Sequence, residues 1–163
     1  ILNLSIVRIL QMVVAKTGIQ APENDTLPVN AGRLADDITN AYLNNYNTVH
    51  ALARLHGFKF VFFWQPHVLV GNKPLSDEEK NIVTGLNWVV PMDSTLIHLF
   101  KSTYDQIELE APDYEYLHSL AHVFDEVAFS IWIDTWGHTT PEGNRLVAEN
   151  MISIIEHDRL FQP

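Results

Sequence analysis

The densest run of reactive side chains lies near the carboxyl end: Ile133-Asp134-Thr135-Trp136-Gly137-His138-Thr139-Thr140-Pro141-Glu142-Gly143-Asn144. An aspartate and a histidine held in one short loop can hydrogen-bond. The carboxylate then fixes the imidazole tautomer and stabilises the imidazolium, while the other ring nitrogen takes a proton from a nucleophile. The same pair can instead close a turn and cap a helix, and by chemistry alone both uses are open. Trp132 and Trp136 flank Asp134 and either wall an acyl or sugar pocket or pack into the core.

A second group is His118, His122 and Asp125. On a helix the two histidines share a face, as in a zinc site. Ser119 stands where such a helix carries Glu, and no third ligand is evident, so the simpler reading is a solvated or capping pair. No metal or other cofactor is expected. His50, His56, His67, His98 and His157 show no partner pattern and read as surface or helix-end residues. Arg145 and Glu149 read as a solvated i,i+4 ion pair.

The composition limits what these groups can serve. At 163 residues the chain is about one domain long, with 47% hydrophobic and 18% charged residues. That excludes collagen-like, disulfide-scaffold and disordered classes. A net charge of −10 repels nucleic acid and anionic membranes. The absence of cysteine excludes disulfides, thiolate metal sites and a cysteine nucleophile. The opening ILNLSIVRILQMVV is interrupted by Asn3 and Arg8 and is shorter than the ~20 apolar residues of a membrane span. It also lacks the layout of a signal peptide. It reads as a buried helix that opens mid-domain, and the chain as a piece of a longer protein.

The elements that must position the Asp–His loop follow from periodicity and punctuation. Residues 4–16 suit a helix ended by Gly18, and residues 19–31 a loop. From Arg33 to His56 a helix is expected, with Leu34, Ile38, Tyr42, Tyr46, Val49, Leu52 and Ala53 as its apolar positions and Gly57 as C-cap. Residues 58–64, apolar on both alternating faces, predict a strand covered on both sides, as in a parallel sheet. Ser76 and Glu79 form a capping box that opens a helix. Ser94 to about Glu108 predicts another, and Ala111–Tyr116 an acidic loop. Ala128–Asp134 predicts a second strand, with Asp134 at its carboxyl end, where sites form in open α/β sheets. Thr140 and Pro141 start a terminal helix as N-cap and N1, with Leu146, Val147, Met151 (or Asn150) and Ile154 as its buried stripe. The fold class is α/β with a parallel sheet. Two strands cannot form an independent covered sheet, so further strands are expected in sequence outside this chain.

The string Asp134-Thr135-Trp136-Gly137-His138-Thr139-Thr140-Pro141-Glu142-Gly143-Asn144-Arg145-Leu146 resembles the last signature block of the SGNH (GDSL-type) esterases and acylhydrolases. The helix around Tyr42–His56, the run Phe62-Phe63-Trp64-Gln65-Pro66 and the run Lys73-Pro74-Leu75-Ser76-Asp77-Glu78-Glu79 also look like a bacterial branch of that family. The resemblance spans roughly residues 40–157. It implies a three-layer α/β/α sandwich with a parallel sheet, here a truncated piece with about two strands and five or six helices. Residues 1–163 would form a single domain, the carboxyl-terminal part of the hydrolase domain. It implies that His138 is the general base and Asp134 its orienting partner. The usual block has two residues between Asp and His; this chain has three, and Gly137 is placed to absorb the extra one.

The family's nucleophilic serine lies in a Gly-Asp-Ser block, and its oxyanion donors are a Gly and an Asn in two middle blocks. Neither Asp93-Ser94 nor Glu23-Asn24-Asp25 fits these. The chain alone is therefore expected to be inactive. Two function classes result. One is part of a serine ester hydrolase acting on a small-molecule ester, an acylated lipid or sugar, with a lean to a secreted or periplasmic setting by the resemblance. The other is a non-catalytic α/β binding or interaction domain in which Asp134 and His138 only close a turn. Neither involves nucleic acid or a membrane span. The incomplete sheet predicts exposed apolar surface and self-association.

Overall fold

The computed structural model describes residues 30–85, 94–158 and 160. The helix expected over residues 4–16, the loop over 19–29, Pro91 and Asp93 lie outside them. Helix α1 spans Ala31–His56, strand β1 Phe62–Trp64, helix α2 Asp77–Gly85 and helix α3 Ser94–Glu110. A short 3-10 turn over Ala111–Asp113 leads into strand β2, Leu117–Ser119, and helix α4 covers Pro141–His157. Among the described residues the architecture is α/β, four helices with a two-stranded parallel sheet.

Local signals set the helix ends. The Asn30 side chain accepts from the Arg33 N–H at 3.1 Å and starts α1. Gly57, at φ 72°, ends it, its N–H donating to the Ala53 carbonyl at 2.8 Å. The buried residues of α1 are Ala31, Ala35, Thr39, Leu43, Tyr46 and Ala53. Tyr46 and Ala53 of the expected stripe are among them, but the buried face is shifted toward Ala31, Ala35, Thr39 and Leu43, and Leu34, Ile38 and Leu52 are exposed. The reason is the neighbour: small residues let α3 approach, and Thr39 Oγ1 donates to Gln106 Oε1 at 2.8 Å while Gln106 Nε2 donates to Asp36 at 2.7 Å.

The strands pair in register Phe62–Leu117, Phe63–His118 and Trp64–Ser119. Phe62 and Trp64 share one face, under Tyr42 and Tyr46 of α1; Tyr42 meets the Trp64 ring edge-on at 4.7 Å. Tyr104 of α3 packs on the same Trp64 at 5.3 Å. On the opposite face Phe63 lies beside His118, which bonds Asp158 just past α4 at 2.7 Å.

Two expectations need correction. Ala128–Asp134 is not a strand. Its backbone makes a single antiparallel bridge, Trp132 to Thr139, while the N–H groups of Ile131 and Trp132 donate to the Glu79 carboxylate instead of a neighbouring strand. The second strand is Leu117–Ser119, a segment too short and too polar to announce itself by alternation. His118 consequently sits on β2 and His122 in the turns after it, so they share no helix face.

A second core fills the space behind the Asp–His loop, built from Val68, Phe124, Ile131 and Trp132 with Leu146 and Val147 of α4 against it. Trp132 is therefore a core residue, edge-on to Phe124 at 5.2 Å. Gly143 brings α4 onto this core: a Cβ there would stand 2.7 Å from the Ile131 side chain and 2.8 Å from that of Thr139.

Candidate functional site

The loop carrying Asp134 and His138 is the tip of a narrow ribbon. The Ile133 N–H donates to the His138 carbonyl at 3.0 Å and the Thr140 N–H to the Ile131 carbonyl at 2.7 Å. Thr140 then caps α4, its hydroxyl accepting from the Gly143 N–H. Both ends of the loop are thus anchored within a few residues of the histidine.

Asp134 and His138 meet directly. Asp134 Oδ2 lies 2.5 Å from His138 Nδ1. The other carboxylate oxygen, Oδ1, accepts from the backbone N–H groups of Trp136 at 2.8 Å and His138 at 3.2 Å. Partial burial pushes the Asp134 carboxyl up, but the His138 bond and the two backbone donors outweigh it and hold the group below the usual carboxylate value. A carboxylate bonded at Nδ1 favours the tautomer whose Nε2 is bare. The His138 side chain is 60% exposed, and among the described residues nothing bonds its Nε2. The arrangement can accept a proton from a donor brought to that face. Gly137, in the loop between Asp134 and His138, has φ 87°, a backbone conformation that favours glycine.

Two groups that sequence reasoning did not assign hold this loop. The first is His67, expected at the surface and found 3% exposed. It follows β1 by three residues and stacks on Phe100 with centroids 4.3 Å apart. Its Nδ1 accepts from the Leu69 N–H at 3.2 Å, which leaves the proton on Nε2. Burial lowers its pKa to about 4, against the Thr135 carbonyl and the Asp134 charge, which pull it up. Gly137 sits over the same ring; a Cβ there would lie 3.4 Å from His67 Cδ2. The second is Glu79, with no exposed surface. The capping box accounts for one of its bonds, from the Ser76 N–H at 2.9 Å. Lys73 Nζ donates to it at 2.6 Å, and the N–H groups of Ile131 and Trp132 at 2.7 and 3.0 Å. Burial works against the charge, yet these four donors hold the Glu79 carboxyl below its ordinary value. The only sequence signal was position: His67 directly after a strand, Glu79 in a capping box next to a lysine.

Of the remaining candidates only Trp136 adjoins the pair. Trp136 is half exposed beside it. His118 bonds Asp158, and His122 bridges Asp125 at 2.7 Å and Glu108 at 3.2 Å. Among the described residues no group of three or more His, Asp or Glu is placed to hold a metal ion, and no helix is long and apolar enough to cross a membrane. Arg145 pairs with Glu149 and Glu142 on the exposed side of α4. A cavity of about 280 Å³, lined by residues including His50, Arg54, Phe58 and Tyr116, involves neither Asp134 nor His138.

Compared with known proteins, the chain matches no family model, no curated protein and no solved structure.

Proposed function

We propose that the chain is the carboxyl-terminal part of a serine ester hydrolase of the SGNH kind, with His138 as general base and Asp134 as its orienting acid. The observation that carries the reading is the Asp134–His138 bond at 2.5 Å with the imidazole largely open to solvent. In the reaction, Nε2 of His138 removes the proton from a serine hydroxyl as it attacks the ester carbonyl. It then returns that proton to the leaving alcohol, and Asp134 stabilises the imidazolium between the two steps. The serine and the oxyanion donors belong, in this reading, to sequence outside residues 1–163. The substrate is a carboxylic ester carrying an acyl or acetyl group. Helices α1 and α3 on one sheet face, with the end of α4 near the other, suit a three-layer sandwich whose remaining strands come from that same sequence.

A second reading is favoured by one detail. Asp134 Oδ1 accepts two backbone N–H groups, a turn-closing task that needs no catalysis. Asp134→Asn separates the two, because an amide oxygen still closes the turn but cannot stabilise an imidazolium. In the full reading frame, the hydrolase reading expects kcat on p-nitrophenyl acetate to fall about 10⁴-fold with the fold intact. Equal turnover by the variant supports the non-catalytic domain. A fluorophosphonate probe should label a serine outside residues 1–163 and leave the isolated chain unlabelled.

A further inference from the structure

We propose that Glu79 is a positioning residue for the Asp134–His138 pair: a buried carboxylate that mounts the Asp134 arm of the ribbon on α2, while α4 carries the His138 arm. The division of labour between its two oxygens supports this. Oε2 faces its own segment, accepting from Lys73 Nζ at 2.6 Å and the Ser76 N–H at 2.9 Å. Oε1 faces the ribbon, accepting from the Ile131 N–H at 2.7 Å and the Trp132 N–H at 3.0 Å. Among the described residues these two N–H groups have no other acceptor. Buried donors of this kind hold to the partner they have, because no water competes for them. The other arm is fixed separately: the Thr140 hydroxyl accepts from the Gly143 N–H at the start of α4. Two backbone bonds join the arms, the Thr140 N–H to the Ile131 carbonyl and the Ile133 N–H to the His138 carbonyl. Fixing Ile131 and Trp132 therefore fixes where the Asp134 carboxylate stands against the His138 ring.

The consequence for turnover rests on the hydrolase reading; the consequence for the imidazole does not. In ¹⁵N-labelled protein from the full reading frame, above neutral pH, His138 should be held as the Nδ1–H tautomer facing Asp134. Two double variants remove the buried ion pair and differ in one acceptor. Lys73→Met with Glu79→Gln leaves an amide oxygen for Ile131 and Trp132; Lys73→Met with Glu79→Met leaves none. Neither strands a charge in the interior. The first should keep the wild-type tautomer, and the second should reduce the Nδ1–H share of neutral His138 about twofold or more. A merely structural role would lower the melting temperature of the second and leave the tautomer unchanged in both; that result overturns the proposal. An equal loss in both variants also overturns it, since the ion pair and not the ribbon acceptor would then be responsible. If either variant does not fold, amide exchange in the wild type decides. The Ile133 N–H, bonded to the His138 carbonyl, should then have a protection factor within about tenfold of those of Ile131 and Trp132. Protection of Ile133 weaker than that means the ribbon tip opens without the Glu79 bonds, and overturns the proposal. Should the tautomer respond while the full reading frame never turns over an ester, only the hydrolase reading falls.

Discussion

Asp134 does two tasks with two oxygens, and the loop is built to make that possible. One oxygen closes the turn on the Trp136 and His138 N–H groups; the other is left for the imidazole. Gly137 supplies the one backbone conformation that an L side chain resists. Gly137→Ala should cost about 1–2 kcal/mol from the left-handed backbone alone. Urea unfolding would show this, with loss of the His138 Nδ1–H signal. His67 gives a separate acid signature. Its folded pKa is about 4 and its reference value 6.5, so between those values the unfolded chain binds the extra proton. Stability is then full above pH 6.5 and falls as the pH drops toward 4, by about 3 kcal/mol in all. Urea titrations at pH 7 and pH 4.5 should show most of that loss in wild type and little of it in His67→Phe. The Asp134–His138 contact was legible from residue types and spacing. The buried histidine was not, because nothing local distinguishes a His after Pro66 that points inward from one that points to solvent.

At the scale of elements, α2 matters to the site through one side chain. The capping box predicted where α2 begins, and it begins there. The second use of Glu79, as acceptor for the backbone approaching Asp134, depends on contacts across more than fifty residues that no local pattern encodes. Glu79→Gln keeps an acceptor for Ile131 and Trp132 but removes the charge paired with the Lys73 ammonium, whose side chain is 4% exposed and which keeps only the neutral Pro74 carbonyl at 3.1 Å. A loss of roughly 3–5 kcal/mol is expected in thermal or urea unfolding. Because the folded Glu79 carboxyl sits below its ordinary value of 4.5, its share of stability is present above that pH and fades as the pH falls further. Gly143→Ala tests the docking of α4. The added methyl meets Ile131 and Thr139 at under 3 Å, and overpacking of this kind costs about 1–3 kcal/mol. The strand assignment over 128–134 failed for the same reason that Glu79 was missed: apolar alternation does not reveal that a carboxylate, not a strand, takes the backbone donors.

Across the whole molecule the α/β class was readable, from a long helix, a glycine and an apolar segment in succession. The apolar run at 58–64 pointed to burial on both sides, yet β1 is three residues long and half-buried throughout. Phe129, Ile133 and Trp136 are exposed around the candidate site, and Leu52, Leu55 and Phe58 near the end of α1. Apolar groups on this scale favour association, and the net charge of −10 opposes it. Sedimentation velocity on the isolated chain should therefore show concentration-dependent self-association that strengthens as salt screens the charge. A sharp monomer at every concentration, with cooperative melting, would count against an incomplete sheet.

The most direct test is the initial rate of p-nitrophenyl acetate hydrolysis by the protein expressed from the full reading frame, with and without His138→Ala. The hydrolase reading predicts turnover in the first and a drop of at least about 10³-fold in the second, at unchanged melting temperature. Equal rates in both proteins would contradict it.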